Sequence, residues 1–169
     1  MHLPLALRFS VFALSFAAMT GQVPKEQPSA GCPAQPNTLR AMRDCYRPLL
    51  VFAPALDTPQ LVQQFNELKA HATELKTRSV LYVPIVPEGH NQPIPGSKVP
   101  TVRLSEDELA AMRHRFKVEP AEFLVILIGK DGGEKLNSRT PVTVVQLERL
   151  IDSMPMRKSE MQPEPQGEE

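Results

Sequence analysis

Glu122-Phe123-Leu124-Val125-Ile126-Leu127-Ile128-Gly129, followed at once by Lys130-Asp131-Gly132-Gly133-Glu134-Lys135-Leu136, sets the architecture of the chain. The six apolar residues from Phe123 to Ile128, three of them β-branched aliphatics, cannot leave one face in water. They predict a strand buried on both faces at the centre of a sheet. Asp131-Gly132-Gly133 supplies residues that accept positive φ, which predicts a hairpin turn into an antiparallel strand over Glu134 to Ser138.

Toward the N-terminus, Leu49-Leu50-Val51-Phe52-Ala53 is a second continuous apolar run ended by Pro54, hence a second buried strand. Asn37 to Asp44 is compatible with a short helix before it. After the strand, Thr58 stands where it caps a helix that has Pro59 at its first position. Leu61, Phe65, Leu68, Ala72 and Leu75 then recur at helical spacing, predicting one long amphipathic helix lying on the sheet.

Val80 to Val86 is a third strand, and Pro84, which cannot donate to a ladder, assigns it to an edge. Prolines and glycines from Pro87 to Arg103 read as a long loop, a place where an insertion carries function. Ser105 and Glu108 have the spacing of a capping box, with Leu104 and Leu109 as its hydrophobic staple, opening a helix to about Lys117. Thr143 with Gln146, and Val142 with Leu147, repeat the device for the last helix, which Pro155 ends.

The 169 residues are one domain's length, and the 41% apolar content suffices for one core. Nineteen basic and nineteen acidic residues cancel, so no global field draws the chain to nucleic acid or an anionic membrane. With 5% aromatics and no Trp there is no base-stacking platform either. Nucleic acid is not an expected partner.

Arg8, the uncharged run from Phe9 to Met19 and the small residues Ala17, Ala18, Thr20 and Gly21 have the layout of a secretory signal peptide. The run is too short for a spanning helix, which needs about twenty apolar residues. Ala30-Gly31-Cys32 faintly resembles a lipoprotein acylation site, but Ser29 stands where a large aliphatic belongs. The expected organisation is a signal peptide over 1–21 and a proline-rich linker with a short helix over 22–45. A folded domain over 46–157 and a disordered acidic tail over 158–169 follow. The expected location is secreted or periplasmic, free of the membrane once the leader is cleaved.

Export governs the reading of the only two cysteines, Cys32 and Cys45. In an oxidising compartment one intramolecular pairing is available to them, a structural staple closing a short loop. Two free thiols or a redox pair are the alternatives. Their spacing is not that of a Cys-x-x-Cys motif, and no histidines accompany them as in a zinc site.

Strand, helix, strand, loop, helix, strand, hairpin strand, helix is the order of a thioredoxin-like fold. It is an α/β class with a four-stranded mixed sheet built as βαβ, then α, then ββα, with flanking helices. The Val80 strand comes first in the sheet, then the Leu49 strand, the central strand and the hairpin strand. The chain also resembles a family: the thioredoxin-like domain of unknown function found in secreted bacterial proteins and in sushi-repeat-containing matrix proteins of animals. Three stretches carry the resemblance, which runs from about Tyr46 to Met161: Arg47 to Pro54, Gly129 to Leu136, and Ile151 to Arg157. It brings no catalytic residues and no cofactor.

Thioredoxins and peroxiredoxins place a nucleophilic cysteine after the first core strand, at the positive end of the next helix, which lowers its pKa. Here that loop reads Pro54-Ala55-Leu56-Asp57-Thr58-Pro59, without sulfur. Pro54, Asp57 and Thr58, with Pro120 before the central strand where thioredoxins carry a cis-proline, occupy the equivalent site. Asp57 and Thr58 are suited to capping the helix. Cys45 precedes the first strand and so belongs at the opposite end of the sheet. His71, His90 and His114 show no metal-ligand spacing. Arg113 to Lys117, with Arg40, Arg43 and Arg47, is a candidate basic patch for an acidic polysaccharide, set against ordinary solvated helix ends.

These readings lead to a non-catalytic module that binds a protein or polysaccharide of the envelope or extracellular space. The alternatives are an atypical thiol-disulfide or peroxide oxidoreductase using Cys32 and Cys45, and a small-ligand or metal carrier using the Pro87 to Arg103 loop. No catalytic or metal-ligating residues are assigned.

Overall fold

The computed structural model describes residues 31–87 and 96–162. The leader over 1–21, the first part of the linker (22–30), the middle of the Pro87 to Arg103 loop and the last seven residues lie outside the described residues.

Four strands form one sheet: β1 (Arg47–Phe52), β2 (Val80–Ile85), β3 (Leu124–Ile128) and β4 (Glu134–Ser138), in the order β2-β1-β3-β4. β1 runs parallel to β2 and antiparallel to β3, and β3 pairs antiparallel with β4. Every residue of β1 and β3 is buried, as the apolar runs Leu49 to Phe52 and Leu124 to Ile128 require, and burial extends to Arg47 at the start of β1. Leu49, Val51, Val125 and Leu127 face one core. Leu50, Phe52, Ile126 and Ile128 face the other.

The helices are α1 (Leu39–Met42), α2 (Pro59–Ala70), α3 (Ala72–Thr77), α4 (Glu106–Phe116), α5 (Val144–Ser153) and α6 (Pro155–Glu160). Leu61, Leu68, Leu75, Leu147 and Ile151 from α2, α3 and α5 bury the first face of the sheet. Met42, Leu109 and Met112 from α1 and α4 bury the second. The result is three layers, helices on both sides of a mixed sheet.

β2 is an edge strand, with Pro84 opposite Val51. The segment around Thr101 lies along its outer side: Tyr82 N donates to Pro100 O at 2.7 Å, and Tyr82 bridges Thr101. The hairpin closes through Gly129 N to Gly133 O (2.8 Å), with Gly132 at φ +78° and Asp131 Oδ1 accepting from Gly133 N.

Four local readings change. The expected long helix is two, because the backbone leaves helical geometry at His71 (φ −124°, ψ 33°). No Gly or Pro stands between Asn66 and Thr77, so no helix breaker in the sequence marks the interruption. Thr58 is the N-cap residue of α2, but its hydroxyl accepts from Ala55 N at 3.0 Å and closes the preceding loop instead of capping helical amides. At α4, Ser105 Oγ accepts from Glu108 N, while Glu108 does not reach back. Its carboxylate accepts from Leu39 N at 2.9 Å and fastens α1. Pro155 ends α5 and at once starts α6, so helix continues through Glu160 where an acidic tail was expected from 158.

The capping box at α5 forms as read: Thr143 and Gln146 satisfy each other's amides. Two residues of α2 complete that helix start. Gln64, fully buried, donates to Val142 O (2.9 Å) and accepts from Val142 N (2.8 Å). Glu67 accepts from Val144 N at 2.8 Å.

Candidate functional site

The loop after β1 holds Pro54 and Thr58 half-buried and Asp57 exposed. Pro120 lies exposed in the turn before β3, and no peptide bond among the described residues is cis. Between the two stands Arg113 of α4, placed among exposed patch residues by sequence and found turned inward. Its Nη2 donates to Ala53 O (3.0 Å) and Ile85 O (2.8 Å), and Nη1 reaches Glu119 O at 3.4 Å. The guanidinium lies 5.7 Å from the centre of the Phe52 ring. A cation therefore braces the carboxyl ends of β1 and β2, next to the loop where a nucleophile is absent.

Cys32 and Cys45 form a disulfide, with Cα atoms 5.4 Å apart, at the other end of β1. Cys32 is exposed and Cys45 half-buried. Tyr46 Oη donates to Pro33 O at 2.7 Å, so the covalent bond and a hydrogen bond together hold the segment before α1 onto the domain. Cys45 follows α1, and neither sulfur stands at a helix N-terminus, the setting that favours a thiolate.

That same end of the sheet carries a cluster of charges that local sequence patterns do not assemble. Arg47, only 1% exposed, donates Nη2 to Glu160 Oε1 (2.9 Å) and Nη1 to Arg78 O (2.8 Å), and its Nε has no partner. Lys130 Nζ meets the same carboxylate at 2.9 Å, and Arg157 approaches it at 3.4 Å. Burial by itself would raise the Glu160 carboxyl, but hydrogen bonds from Arg47 and Lys130 outweigh it and bring its pKa down to about 2. Beside it, Arg78 grips Asp152 with two hydrogen bonds, 3.1 and 2.8 Å, and pairs with Glu148 at 3.0 Å. The Arg78 hydrogen bond holds Asp152 below the usual carboxylate range. Each of the three stretches that carry the family resemblance contributes here: Arg47, Lys130, and Asp152 with Arg157. The only signal in the sequence was a charged Arg47 leading into an unbroken apolar run.

Of the remaining patch residues, Arg40, Arg43 and Arg115 surround a cleft of about 240 Å³ that also includes Leu39, Ile128, Asp131 and Gly132. His71 is half-buried and His114 exposed, while His90 lies outside the described residues. Among the described residues no group of three or more His, Cys, Asp or Glu is arranged to hold a metal ion, and no helix is long and apolar enough to cross a membrane.

A family model described as Domain of unknown function (DUF4174) matches residues 38–160. The chain belongs to this family. The DUF4174 domain so delimited contains all four strands and ends at Glu160, the last residue of α6. No curated protein matches the chain. Among solved structures it is similar to thioredoxin peroxidase I of Plasmodium yoelii, with a TM-score of 0.52 and 18% identity over 75% of this chain and 83% of that one. The reduced 2-Cys peroxiredoxin of Plasmodium vivax gives 0.51 and 16% over 72% and 84%. A thioredoxin-family thiol:disulfide interchange protein of Chlorobium tepidum gives 0.48 and 13% over 67% and 81%. At such identities the two peroxidase structures speak for the fold alone: the DUF4174 domain is thioredoxin-like.

Proposed function

We propose that this DUF4174 domain is an exported, non-catalytic binding module working in the periplasm or outside the cell. One observation carries the reading. The loop after β1 contains no sulfur, and the only two cysteines are bonded to each other at the opposite end of that strand. A thiol mechanism of the thioredoxin kind needs an ionised sulfur at the start of the helix after β1. This chain has Asp57 and Thr58 there and an arginine bracing the strand ends. The disulfide supports export, since such bonds persist in oxidising compartments. The apolar leader read from the first 21 residues points the same way.

Exposure of Cys32 favours a second reading, a thiol-disulfide exchanger acting through the Cys32–Cys45 bond. Intact-mass measurement after alkylation separates the two. The binding-module reading expects no label on the native protein, none after mild reductant, and two labels only after denaturation with strong reductant. Rapid labelling of either cysteine under mild reductant, or turnover of peroxide or a disulfide substrate, overturns it.

A further inference from the structure

The cleft of about 240 Å³ between α1, the last turn of α4 and the β3–β4 turn is edged by three guanidiniums, those of Arg40, Arg43 and Arg115. Six other cations of this domain, Arg47, Arg78, Lys130, Lys135, Arg139 and Arg157, each sit in an ion pair. Among the described residues no carboxylate pairs with Arg40, Arg43 or Arg115, and Arg115 rests only on the ring of Phe116, 5.1 Å from its centre. The one carboxylate lining the cleft, Asp131, is committed to Lys135 and to Gly133 N. All three arginines are exposed and line one recess without an ion pair of their own, which makes that recess locally positive in a chain of zero net charge.

We infer that this cleft binds an anionic group carried by a polysaccharide, a sulfate ester or a carboxylate, through Arg40, Arg43 and Arg115. The inference rests on the binding-module reading and names its partner. Guanidinium forks match planar and tetrahedral oxyanions with paired, charge-assisted hydrogen bonds. A recess of this volume falls below the roughly 300 Å³ at which pockets for whole small-molecule ligands begin, so it seats one charged group of a larger chain. Protein interfaces set arginine anchors among Trp and Tyr, and no aromatic residue lines this cleft. The large exposed hydrophobics of this domain are Leu56, Val62, Val145, Met156 and Met161, and none of them lines the cleft. Charge is what the recess offers.

The test titrates the full mature protein against fluorescent dextran sulfate and polygalacturonate. It compares the triple variant Arg40→Gln, Arg43→Gln, Arg115→Gln with a control, Lys69→Gln, Arg149→Gln, Lys158→Gln, which removes the same charge from exposed sites elsewhere. The wild type binds at least one polymer and loses affinity as salt rises, the cleft variant binds roughly tenfold or more weakly, and the control stays within about twofold. Absence of binding to both polymers, or equal losses in both variants, overturns the inference. So does free sulfate binding as tightly as the polymer, which marks a small-anion site, or tighter binding of a phosphopeptide or of DNA. Alkylation of the same samples keeps the two ideas apart: inert cysteines with no polymer binding sink only the cleft, whereas labile cysteines sink the module reading itself.

Discussion

Replacing Glu160 by Gln removes one charge from the end of α6 and leaves the shape nearly unchanged. In the native protein that carboxylate faces Arg47 at 2.9 Å and Lys130 at 2.9 Å, and Arg47 is 1% exposed with Nε unpartnered. Without the charge, the buried guanidinium keeps only neutral acceptors, the Arg78 carbonyl and the single oxygen of the new amide, where it now meets both carboxylate oxygens. Breaking a fully buried pair costs about 3–5 kcal/mol and an exposed one about 0–1 kcal/mol. The Glu160 side chain is 27% exposed although the residue as a whole lies open to solvent, which places this pair between those limits. A pKa lowered from 4.5 to about 2 corresponds to roughly 3 kcal/mol before screening by water, which brings it to about 2 kcal/mol.

Urea unfolding at pH 7 should therefore show Glu160→Gln less stable by about 2 kcal/mol, a midpoint shift of about 1 M. The pH dependence follows from the direction of the shift. The folded pKa is depressed, so the contribution is complete above the unfolded value of about 4.5, shrinks as pH falls, and is gone once pH has passed through about 2. The gap between wild type and variant should fall to less than half its neutral value by about pH 3. A gap that is the same at pH 7 and pH 3, or below about 0.5 kcal/mol throughout, rules this account of Glu160 out.

Gln64→Leu puts an apolar residue in a fully buried position yet strands the amide and carbonyl of Val142 that Gln64 now satisfies, so a loss of about 2 kcal/mol is expected in urea unfolding. Replacing both Cys32 and Cys45 by Ser opens a loop with a sequence separation of 13 and should cost about 3 kcal/mol in the same assay. If the bond serves structure and not chemistry, polysaccharide binding by that variant should survive at temperatures where it remains folded.

The sheet was legible because its strands are written as period and composition. Runs such as Leu49 to Ala53 and Phe123 to Ile128 cannot be half-wet, and Asp131-Gly132-Gly133 can only turn. Pro84 assigned its strand to the edge because a residue without an amide hydrogen cannot sit between two partners. The missing sulfur after β1 is likewise a statement about a local position, and it was available from the residues alone. Side-chain partners far along the chain were not. Glu108 has the spacing to cap its own helix and instead holds Leu39, 69 residues away. Gln64 reaches Val142 and Arg47 reaches Glu160 across separations of 78 and 113 residues, and nothing in a local window reports such pairings.

The arginines divide along the same line. Arg40, Arg43, Arg47, Arg113 and Arg115 are alike as letters, and charge counting makes them one patch. Only tertiary packing sends Arg47 to Glu160 of α6 and Arg113 to the carbonyls at the ends of β1 and β2, and leaves the other three around an open cleft between α1, α4 and the hairpin turn. The strands, the helices and the absence of a thiol at the expected site were written in the residues themselves, because backbone periodicity and residue chemistry are local, while the strand order followed from the likeness of the element order to a thioredoxin-like fold. Which charges are spent inside the molecule and which remain to meet a partner was settled only by folding, because desolvation and pairing depend on neighbours that folding supplies.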